Sequence, residues 1–349
     1  MSFVQLLSVG PDRAAPKLGG GVWRIGEIGG SLRMSQATIG GQIALNGVGV
    51  HSGEAANIRL QPAAPDSGVV FSRIDRGSGA ESEIVADHRF VADTSLATVL
   101  GNERFGRVAT VEHLLAAVSG LGIDNMLVEI DGDEVPIMDG SAAPFVEAIE
   151  EVGLRQQAAR RRYLKVLRPI RVALGDAEGE LVPFEGRRIE IEIDFASPLI
   201  GRQAYVFDFE RGDFGKDLAR ARTFGFMKDV EGLWAHGFAR GASLDNTVVL
   251  GDDGLVNPEG LRFADEFVRH KALDAVGDLA LAGAPILGAY RSRRGGHRLN
   301  CAVLEALFAD PDAWCWAYGP SVREATRADA AFADLGALMP VATYSPDVS

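Results

Sequence analysis

One stretch of the chain, FVRHKALDAVGDL at residues 267–279, carries an imidazole and two carboxylates at a regular spacing. His270, Asp274 and Asp278 recur every four residues, so on a helix their side chains form one ladder along one face. A polar stripe of this kind is usually the solvated face of a surface helix. Histidine and aspartate one turn apart can also bind one divalent cation, which would then need a further ligand from elsewhere. Both interpretations stay open at this point.

A second histidine occupies an equivalent place in the first half of the chain. His113 in VEHLLAAVSGLGIDNMLVEI and His270 in VRHKALDAVGDLALAGAPILGAY both lie near the start of a predicted helix. In both halves of the chain the predicted order is helix, strand, helix. If the two halves pack as related partners, two imidazoles and Asp274 leave one coordination position for water, as in a catalytic zinc site. Glu112 would be a general base beside such a water. An isolated glutamate of this kind is more often a solvated helix carboxylate.

His297 lies in RRGGHRLN, where two glycines let the backbone come close to a ligand. Taken alone, such a histidine is more often a helix cap or a surface residue. The functional interpretation makes it a general acid that Asp278 keeps cationic. Arg293 and Arg294 beside it would suit a phosphate group.

Strand-like runs and longer runs with helical period must position these side chains. Strands are predicted within 37–75 and at 125–132, 163–174, 188–195, 203–209 and 284–291. Helices are predicted at 110–122, 142–153, about 213–223, 227–236, about 262–282 and 298–308. The basic, polar segment RQQAARRR at 155–162 is predicted to link two domains. The patterns predict an α+β fold of two related domains, each a sheet with a pair of helices on one face.

Composition narrows the class of protein. Of 349 residues, 47% are hydrophobic and 24% are charged, which is typical of a globular chain with room for two domains. The net charge of −13 and the absence of a Lys/Arg block disfavour nucleic acid binding. Cys301 and Cys315 are too few for a disulfide framework and are predicted to be buried thiols in a reducing compartment. No stretch has the length of a membrane span, so a cytoplasmic location without stable membrane insertion is expected.

Two common motifs give little guidance. GVGVHSG at 47–53 has glycines spaced loosely like those of a nucleotide loop, but it begins no helix and does not indicate a dinucleotide site. The chain contains no GxSxG, which gives a serine hydrolase little support.

Six longer stretches carry a resemblance to a known family. They are GVGVHSG, TVEHLLAAVSGLGIDN, PIMDGSAAPF, ARARTFGFM, NPEGLRFADEFVRHKALDAVGDL and RGGHRLN, and they follow the family's order along most of the chain. With these stretches the chain resembles the zinc-dependent UDP-3-O-acyl-N-acetylglucosamine deacetylases of lipid A synthesis.

The resemblance implies a fold and an activity. The implied fold is α+β, with two pseudo-repeated domains whose helices are sandwiched between two sheets and whose active site lies at the domain interface. The implied enzyme is a metal-dependent amidohydrolase. It removes the N-acetyl group of UDP-3-O-(3-hydroxyacyl)-N-acetylglucosamine and releases acetate, the committed step of lipid A synthesis in Gram-negative bacteria. The implied cofactor is Zn²⁺, with Fe²⁺ as the alternative, and the enzyme is expected to be a monomer.

The resemblance also assigns the metal site position by position. His113, His270 and Asp274 match the metal ligands of the family. Glu112 matches the base that activates the attacking water.

Four further positions match residues that act on the substrate. His297 matches the general acid, and Asp278 lies beside it. Thr223 in RARTFGF matches a threonine that hydrogen-bonds the developing oxyanion. Lys271 is expected near the site, in the first turn of its helix.

The expected domain organisation follows from the same match. It consists of a flexible leader at 1–35, domain I at 36–157, domain II at 158–320 and a tail at 321–349. An insert around 240–258 in domain II matches the segment that forms a hydrophobic passage for the acyl chain.

Two alternatives from other functional classes remain. Two histidines and one carboxylate also describe the facial triad of non-haem Fe(II) oxygenases, which usually lies on β-sandwich strands rather than on helices. A non-catalytic nucleotide-binding module with a structural metal would instead have a cation coordinated fully by protein. The resemblance favours the deacetylase over both.

Overall fold

The computed structural model describes residues 33–76 and 82–319. The expected leader, apart from residues 33–35, and the expected tail at 321–349 lie outside the described residues. Within the described part, no helix is both long enough and apolar enough to cross a membrane.

The first half of the chain forms a mixed five-stranded sheet with two helices. Its strands are β1 (Ser35–Ile39), β2 (Ile43–Val48), β3 (Ala55–Pro62), β4 (Val69–Arg73), β5 (Glu83–Val85), β6 (Val91–Asp93), β7 (Val99–Asn102), β8 (Gly106–Val108) and β9 (Met126–Ile130). Its helices are α1 (Glu112–Leu121) and α2 (Ala143–Val152). The sheet has the order β2-β3-β9-β4-β5, and β6, β7 and β8 form a separate small sheet.

The second half forms a larger sheet with its own helices. Its strands are β10 (Leu154–Arg160), β11 (Arg162–Val166), β12 (Ile170–Leu174), β13 (Ala177–Val182), β14 (Arg187–Asp194), β15 (Arg202–Asp208), β16 (Phe224–Phe226), β17 (Val248–Leu250), β18 (Ile286–Arg293) and β19 (Trp314–Tyr318). Its helices are α3 (Phe214–Asp217), α4 (Val230–Ala235), α5 (Glu266–Ala280) and α6 (His297–Ala309). The sheet has the order β12-β13-β18-β11-β19, with β14 also paired to β18 and β15 to β14.

Alternation along the strands of the larger sheet turns one face toward the helices. In β14 the buried residues Ile189, Ile191 and Ile193 alternate with Glu190 and Glu192, which are partly exposed. This is the pattern of a sheet with one face on the core. Helix α5 packs on β14 and β15, and α6 packs on β12 and β13.

Helices α1 and α5 join the two halves. They pack directly on each other, while α1 also contacts α2 and α5 also contacts α6. The contact is close because α5 has a glycine at the crossing: a Cβ on Gly277 would lie 2.0 Å from the carbonyl oxygen of Glu112. The predicted α+β fold with two related helix–strand–helix halves is confirmed.

Several predicted elements differ in detail. The segment 155–162, predicted as a polar linker, belongs mostly to β10, which pairs antiparallel with β1. The helix predicted at 213–223 is limited to α3, because the backbone leaves the helical conformation at Leu218, whose φ is −125°. Strands β5 to β8, β13, β16, β17 and β19 were not predicted. Cys301 is buried as expected, whereas Cys315 is only partly buried.

Candidate active site

Three candidate metal ligands come from helices of the two different halves. His113 lies in the first turn of α1, and His270 and Asp274 lie one turn apart on α5. The Nε2 atoms of His113 and His270 lie 3.6 Å and 3.3 Å from Asp274 Oδ1. One donor atom from each residue lies within 4.8 Å of the other two, and all three residues are buried. The structure therefore brings together the three residues chosen from the sequence.

This donor set fits a divalent cation. With bonds of about 2.0–2.2 Å, tetrahedral coordination places two ligand atoms about 3.4 Å apart, close to the spacing in this cluster. Asp274 Oδ1 is buried and has no hydrogen-bond partner among the described residues. A buried carboxylate oxygen without a partner is unfavourable. A cation between it and the two imidazoles would supply the missing partner.

Neighbouring groups orient two of these ligands. His270 Nδ1 lies 3.0 Å from the carbonyl oxygen of Ala221, so this nitrogen donates and Nε2 stays free to bind a cation. Burial, opposed by the Asp274 carboxylate, lowers the pKa of His270 to about 3, which keeps the imidazole neutral. Lys271 Nζ donates to Asp274 Oδ2 at 2.9 Å. Although burial acts in the other direction, His270 and Lys271 hold the pKa of Asp274 well below its usual range.

Glu112 lies beside this cluster at the start of α1. Its Oε2 atom accepts a hydrogen bond from the backbone N–H of Thr98 at 3.1 Å, and its Oε1 atom lies 3.8 Å from His297 Nε2. Burial raises the pKa of the Glu112 carboxyl, while the positive charge of His297 opposes the shift. A buried carboxylate of raised pKa beside a cation site is suited to accept a proton from water.

His297 occupies the first position of α6, after Gly296. Its Nδ1 atom donates to Asp278 Oδ2 at 2.9 Å. Burial lowers the pKa of His297, but the carboxylates of Asp278 and Glu112 outweigh it and raise the pKa to about 9. The imidazole is therefore cationic at neutral pH, with Nε2 directed toward Glu112.

Sequence reasoning missed the residues that hold Asp278. Thr98 Oγ1 donates to Asp278 Oδ1 at 2.5 Å, and Asn300 Nδ2 donates to Asp278 Oδ2 at 2.8 Å. Tyr290 in turn donates its hydroxyl to Asn300 Oδ1 at 2.6 Å. Asn300 could have been found, because it lies nearly one helical turn after His297. Thr98 lies 180 residues from Asp278, and no local pattern marks it.

Thr223 lies immediately before β16, in a segment fixed from both sides. Its backbone N–H donates to the carbonyl oxygen of Gly140 at 2.8 Å. Arg222, just before it, is buried and pairs with the buried Glu266 of α5 at 2.9 Å. The pair with Glu266 attaches this segment to α5. Thr223 lies two residues after Ala221, whose carbonyl oxygen accepts the hydrogen bond from His270.

His51, to which the sequence assigns no role, lies in the GVGVHSG turn. Its Nδ1 atom is buried without a hydrogen-bond partner in the described structure, and its ring edge faces Phe238 at 5.6 Å between centroids. The backbone N–H groups of His51 and Ser52 donate to Glu134 at 2.9 and 2.8 Å. A Cβ on Gly49 would lie 2.2 Å from Glu134 Oε2. Gly49 thus makes room for the carboxylate that holds this turn.

The two arginines considered for phosphate binding already have acidic partners. Arg293 Nε lies 3.2 Å from Glu192 Oε1, and Arg294 Nη2 lies 2.5 Å from Asp194 Oδ2. Their charges are thus largely compensated within the sheet.

Comparisons with known proteins match this chain to one family. A family model described as LpxC: UDP-3-O-acyl N-acetylglycosamine deacetylase matches residues 36–309. Three curated relatives named UDP-3-O-acyl-N-acetylglucosamine deacetylase come from Brucella ovis, Brucella canis and Brucella melitensis biotype 2. Each is 54% identical over 280 residues, which is 80% of this chain and 97% of the relative. The match spans both halves of the fold and all the residues of the cluster.

Proposed function

The chain belongs to the UDP-3-O-acyl-N-acetylglucosamine deacetylase family, and from this premise we propose how its site performs the reaction. The substrate is UDP-3-O-(3-hydroxyacyl)-N-acetylglucosamine of lipid A synthesis, and the acetamide on C2 of its sugar is hydrolysed to acetate and an amine. The observation that carries the proposal is the convergence of a three-residue cation site with a buried carboxylate and a cationic imidazole that lie 3.8 Å apart. This is the set of groups that metal-assisted amide hydrolysis needs.

His113, His270 and Asp274 hold the metal ion, which we propose to be Zn²⁺, with Fe²⁺ as the alternative. When bound, such an ion supplies Lewis acidity, polarising a carbonyl oxygen and making water more acidic. Two imidazoles and one carboxylate suit both metals. Lys271 keeps the Asp274 carboxylate ionised and oriented through its hydrogen bond of 2.9 Å.

Glu112 acts as the general base. It takes a proton from the attacking water while the water oxygen forms a bond to the acetamide carbon. The hydrogen bond from the Thr98 N–H holds Glu112 Oε2, which leaves Oε1 on the side of His297. Thr223 donates its hydroxyl to the oxyanion that develops on the carbonyl oxygen.

His297 acts as the general acid. The C–N bond breaks as Nε2 gives its proton to the departing amine, so the proton taken by Glu112 is matched by one delivered to nitrogen. Asp278 positions the ring through Nδ1 and keeps it charged before the reaction. After turnover, proton exchange with solvent restores the protonated imidazole and the ionised carboxylate.

The remaining expectations concern the molecule around the site. We propose that the division into domains lies near residues 157–158 and that the protein acts as a monomer in the cytoplasm. We also propose that the insert around 240–258 guides the acyl chain. Leu244, Leu255 and Val256 in and near this insert are exposed apolar side chains, which supports contact with an apolar part of the substrate.

An acetate-release assay on the UDP-acyl-sugar substrate tests the proposed chemistry. Glu112→Gln is expected to lower kcat by about 10²–10⁴-fold, because the amide cannot accept the proton. Glu147→Gln, on an exposed position of α2, is the matched control and should keep the wild-type rate. Normal turnover by Glu112→Gln would reject the assignment of the base.

The same assay separates the alternatives. An oxygenase would need O₂ for product formation, whereas the hydrolase releases acetate at the same rate under argon. A non-catalytic nucleotide-binding module would release none. Family membership favours the hydrolase.

A further inference from the structure

A cavity lies between α1, α5 and the larger sheet. Its volume is about 760 Å³, within the range of sites for small molecules. Leu115 and Val118 of α1, Val276 and Leu279 of α5 and Ile189 of β14 form part of its inner wall. None of the cluster residues His113, His270, Asp274, Glu112 or His297 lines it.

The cavity and the catalytic cluster share helices α1 and α5, and Leu115 and Val276 of the cavity wall lie two residues from His113 and Asp274. Arg187 at the first position of β14 lines the cavity, while Asp194 at its last position pairs with Arg294, three residues before His297. Seven residues of strand correspond to about 23 Å. The apolar wall of the cavity thus comes near the cluster, whereas Arg187 lies at the end of β14 away from it.

Arginine side chains gather at the mouth of the cavity. Arg161, Arg162, Arg187 and Arg188 all line it. Asp124 neutralises Arg161 at 2.8 Å, and Arg188 lies 3.6 and 3.7 Å from its nearest carboxylates. The Arg188 Nε atom is buried without a hydrogen-bond partner in the part of the chain that the structure describes.

Two of these arginines have no acidic partner in an ion pair among the described residues. Arg187 lies over the Phe209 ring at 3.9 Å and donates to Ser119 Oγ at 3.2 Å. Arg162 lies over the Trp316 ring at 4.2 Å. Burial, together with the positive charge of Arg161, lowers the pKa of Arg187 to about 10, although the carboxylates of Glu210 and Asp124 oppose the shift. The mouth is thus prepared for an anion.

The walls behind the arginines are apolar and aromatic. Trp314, Trp316, Phe308 and Phe209 contribute ring surfaces, and the helix residues contribute aliphatic ones. An inorganic anion alone would leave this surface without contacts. We propose that the cavity binds an amphiphilic anion, with a phosphate or carboxylate head on Arg187 and Arg162 and an apolar body between α1, α5 and the sheet.

Fluorine NMR on protein labelled with 5-fluorotryptophan tests this proposal. The chain has four tryptophans; Trp314 and Trp316 line the cavity, and Trp234 is exposed on α4 near the insert. Their signals are assigned with single Trp→Phe variants. Decyl phosphate and decanoate, each below its micelle-forming concentration, are the two probes, and inorganic phosphate and decanol are their head-only and tail-only controls.

Decyl phosphate, decanoate or both are expected to shift the Trp314 and Trp316 signals and to leave Trp234 unchanged. The probe that acts at the lower concentration identifies the head group. Inorganic phosphate and decanol should need an about tenfold or higher concentration for the same shift, because the first lacks the apolar chain and the second lacks the negative charge.

Arg187→Gln should raise the half-saturating concentration of the probe about tenfold, as expected for loss of a charge-assisted contact. Arg162→Gln, at an exposed residue, should have the same effect. Arg171→Gln, on β12 of the same sheet and outside the cavity, should leave it unchanged. Retained acetate release shows that each variant is folded. Three results would overturn the proposal: no shift at Trp314 and Trp316 with either probe, equal binding by inorganic phosphate, or full binding by both arginine variants.

Discussion

Asp278 illustrates how neighbours decide the role of a residue. On the sequence it is the third step of a polar ladder, and a solvated helix face was an equally good interpretation. In the structure it is fully buried and accepts hydrogen bonds from Thr98, Asn300 and His297. Its carboxylate is therefore committed to the imidazole, while Asp274 on the preceding turn faces the cation site.

The pH dependence of activity follows from this pair. In the proposed mechanism the active form of His297 is the imidazolium, whose pKa is raised to about 9 because the carboxylates of Asp278 and Glu112 outweigh burial. Activity is thus present below this pH and lost as pH rises through it. Asp278→Asn removes the largest raising influence, so the alkaline limb of the kcat/KM profile should move to lower pH by about one unit or more.

Steady-state measurements of kcat/KM between about pH 5 and pH 10 check this shift. A shifted imidazole titrates in this range. Asp310→Asn, on the exposed pair with Arg168, is a control and should leave the limb in place. An unchanged limb in Asp278→Asn would show that another group titrates there.

At the residue level, the sequence was informative where chemistry and periodicity coincide. His113, His270 and Asp274 could be selected because helical spacing and metal-binding side chains occur together. Thr98 could not, because its contact with Asp278 depends on the packing of two distant segments. The role of Glu134 in holding the GVGVHSG turn was hidden for the same reason.

Among the elements, the α1–α5 crossing controls the relative position of the two histidines. The backbone of α1 at Glu112 lies directly against Gly277, where no side chain fits. Gly277→Ala is expected to push α1 away, to destabilise the protein by about 1–3 kcal/mol through overpacking, and to reduce acetate release strongly, because Glu112 and His113 move together.

Urea unfolding and the acetate assay measure both effects. Gly232→Ala is the matched control: Gly232 lies in α4, and a Cβ added there would meet nothing within 4 Å, so stability and activity should stay unchanged or rise slightly. A Gly277→Ala protein with wild-type activity would show that the crossing tolerates a larger separation.

The buried pair between Arg222 and Glu266 links the Thr223 segment to α5. Arg222 is 2% exposed and Glu266 is fully buried. Glu266→Gln leaves the guanidinium without its counter-charge and should destabilise the fold by about 3–5 kcal/mol. Glu129→Gln, in a partly exposed pair with Arg59, should change the free energy of unfolding by less than about 1 kcal/mol. Equal effects of the two substitutions in urea unfolding would contradict this assignment.

Element prediction succeeded for the long periodic segments and failed where tertiary contacts override local preference. Helices α1, α2, α5 and α6 follow from the apolar period. Helix α3 ends before Leu218, and Arg222 beyond it bonds to Glu266 across 44 residues instead of continuing a helix. The polar composition of β10 suggested a linker, since most of its side chains are exposed on both faces and no alternation marks the strand.

At the scale of the whole molecule, the proposed cation site lies between the two halves of the chain. His113 belongs to the first half and His270 and Asp274 to the second, so a bound ion ties α1 to α5. An ion that binds only the folded protein stabilises it, by about 2.7 kcal/mol at about a hundred times its Kd. Chelation should therefore lower Tm, and added Zn²⁺ should restore it.

Differential scanning calorimetry with and without chelator measures this stabilisation. His113→Ala should have a Tm that responds little to Zn²⁺, whereas His88→Ala, outside the cluster, should respond as the wild type does. A Tm that chelation leaves unchanged in the wild-type protein would contradict a cation bridge between the halves.

The internal resemblance of the two halves was visible in the sequence, and it led to the correct pairing of His113 with His270. Their different surroundings were not visible. Gly120 and Gly277 occupy equivalent positions, but a Cβ on Gly120 would meet the Phe214 ring, whereas one on Gly277 would meet the α1 backbone. The arginine-lined cavity could not be predicted either, because its walls come from segments throughout the chain.

The most direct test of the central claim is acetate release by metal-free protein as Zn²⁺ is added. The account predicts no turnover without metal, a rise in rate that ends at one equivalent, and no recovery in His113→Ala or His270→Ala. Full turnover by the metal-free protein, or by either variant, would contradict a cation shared between the two halves.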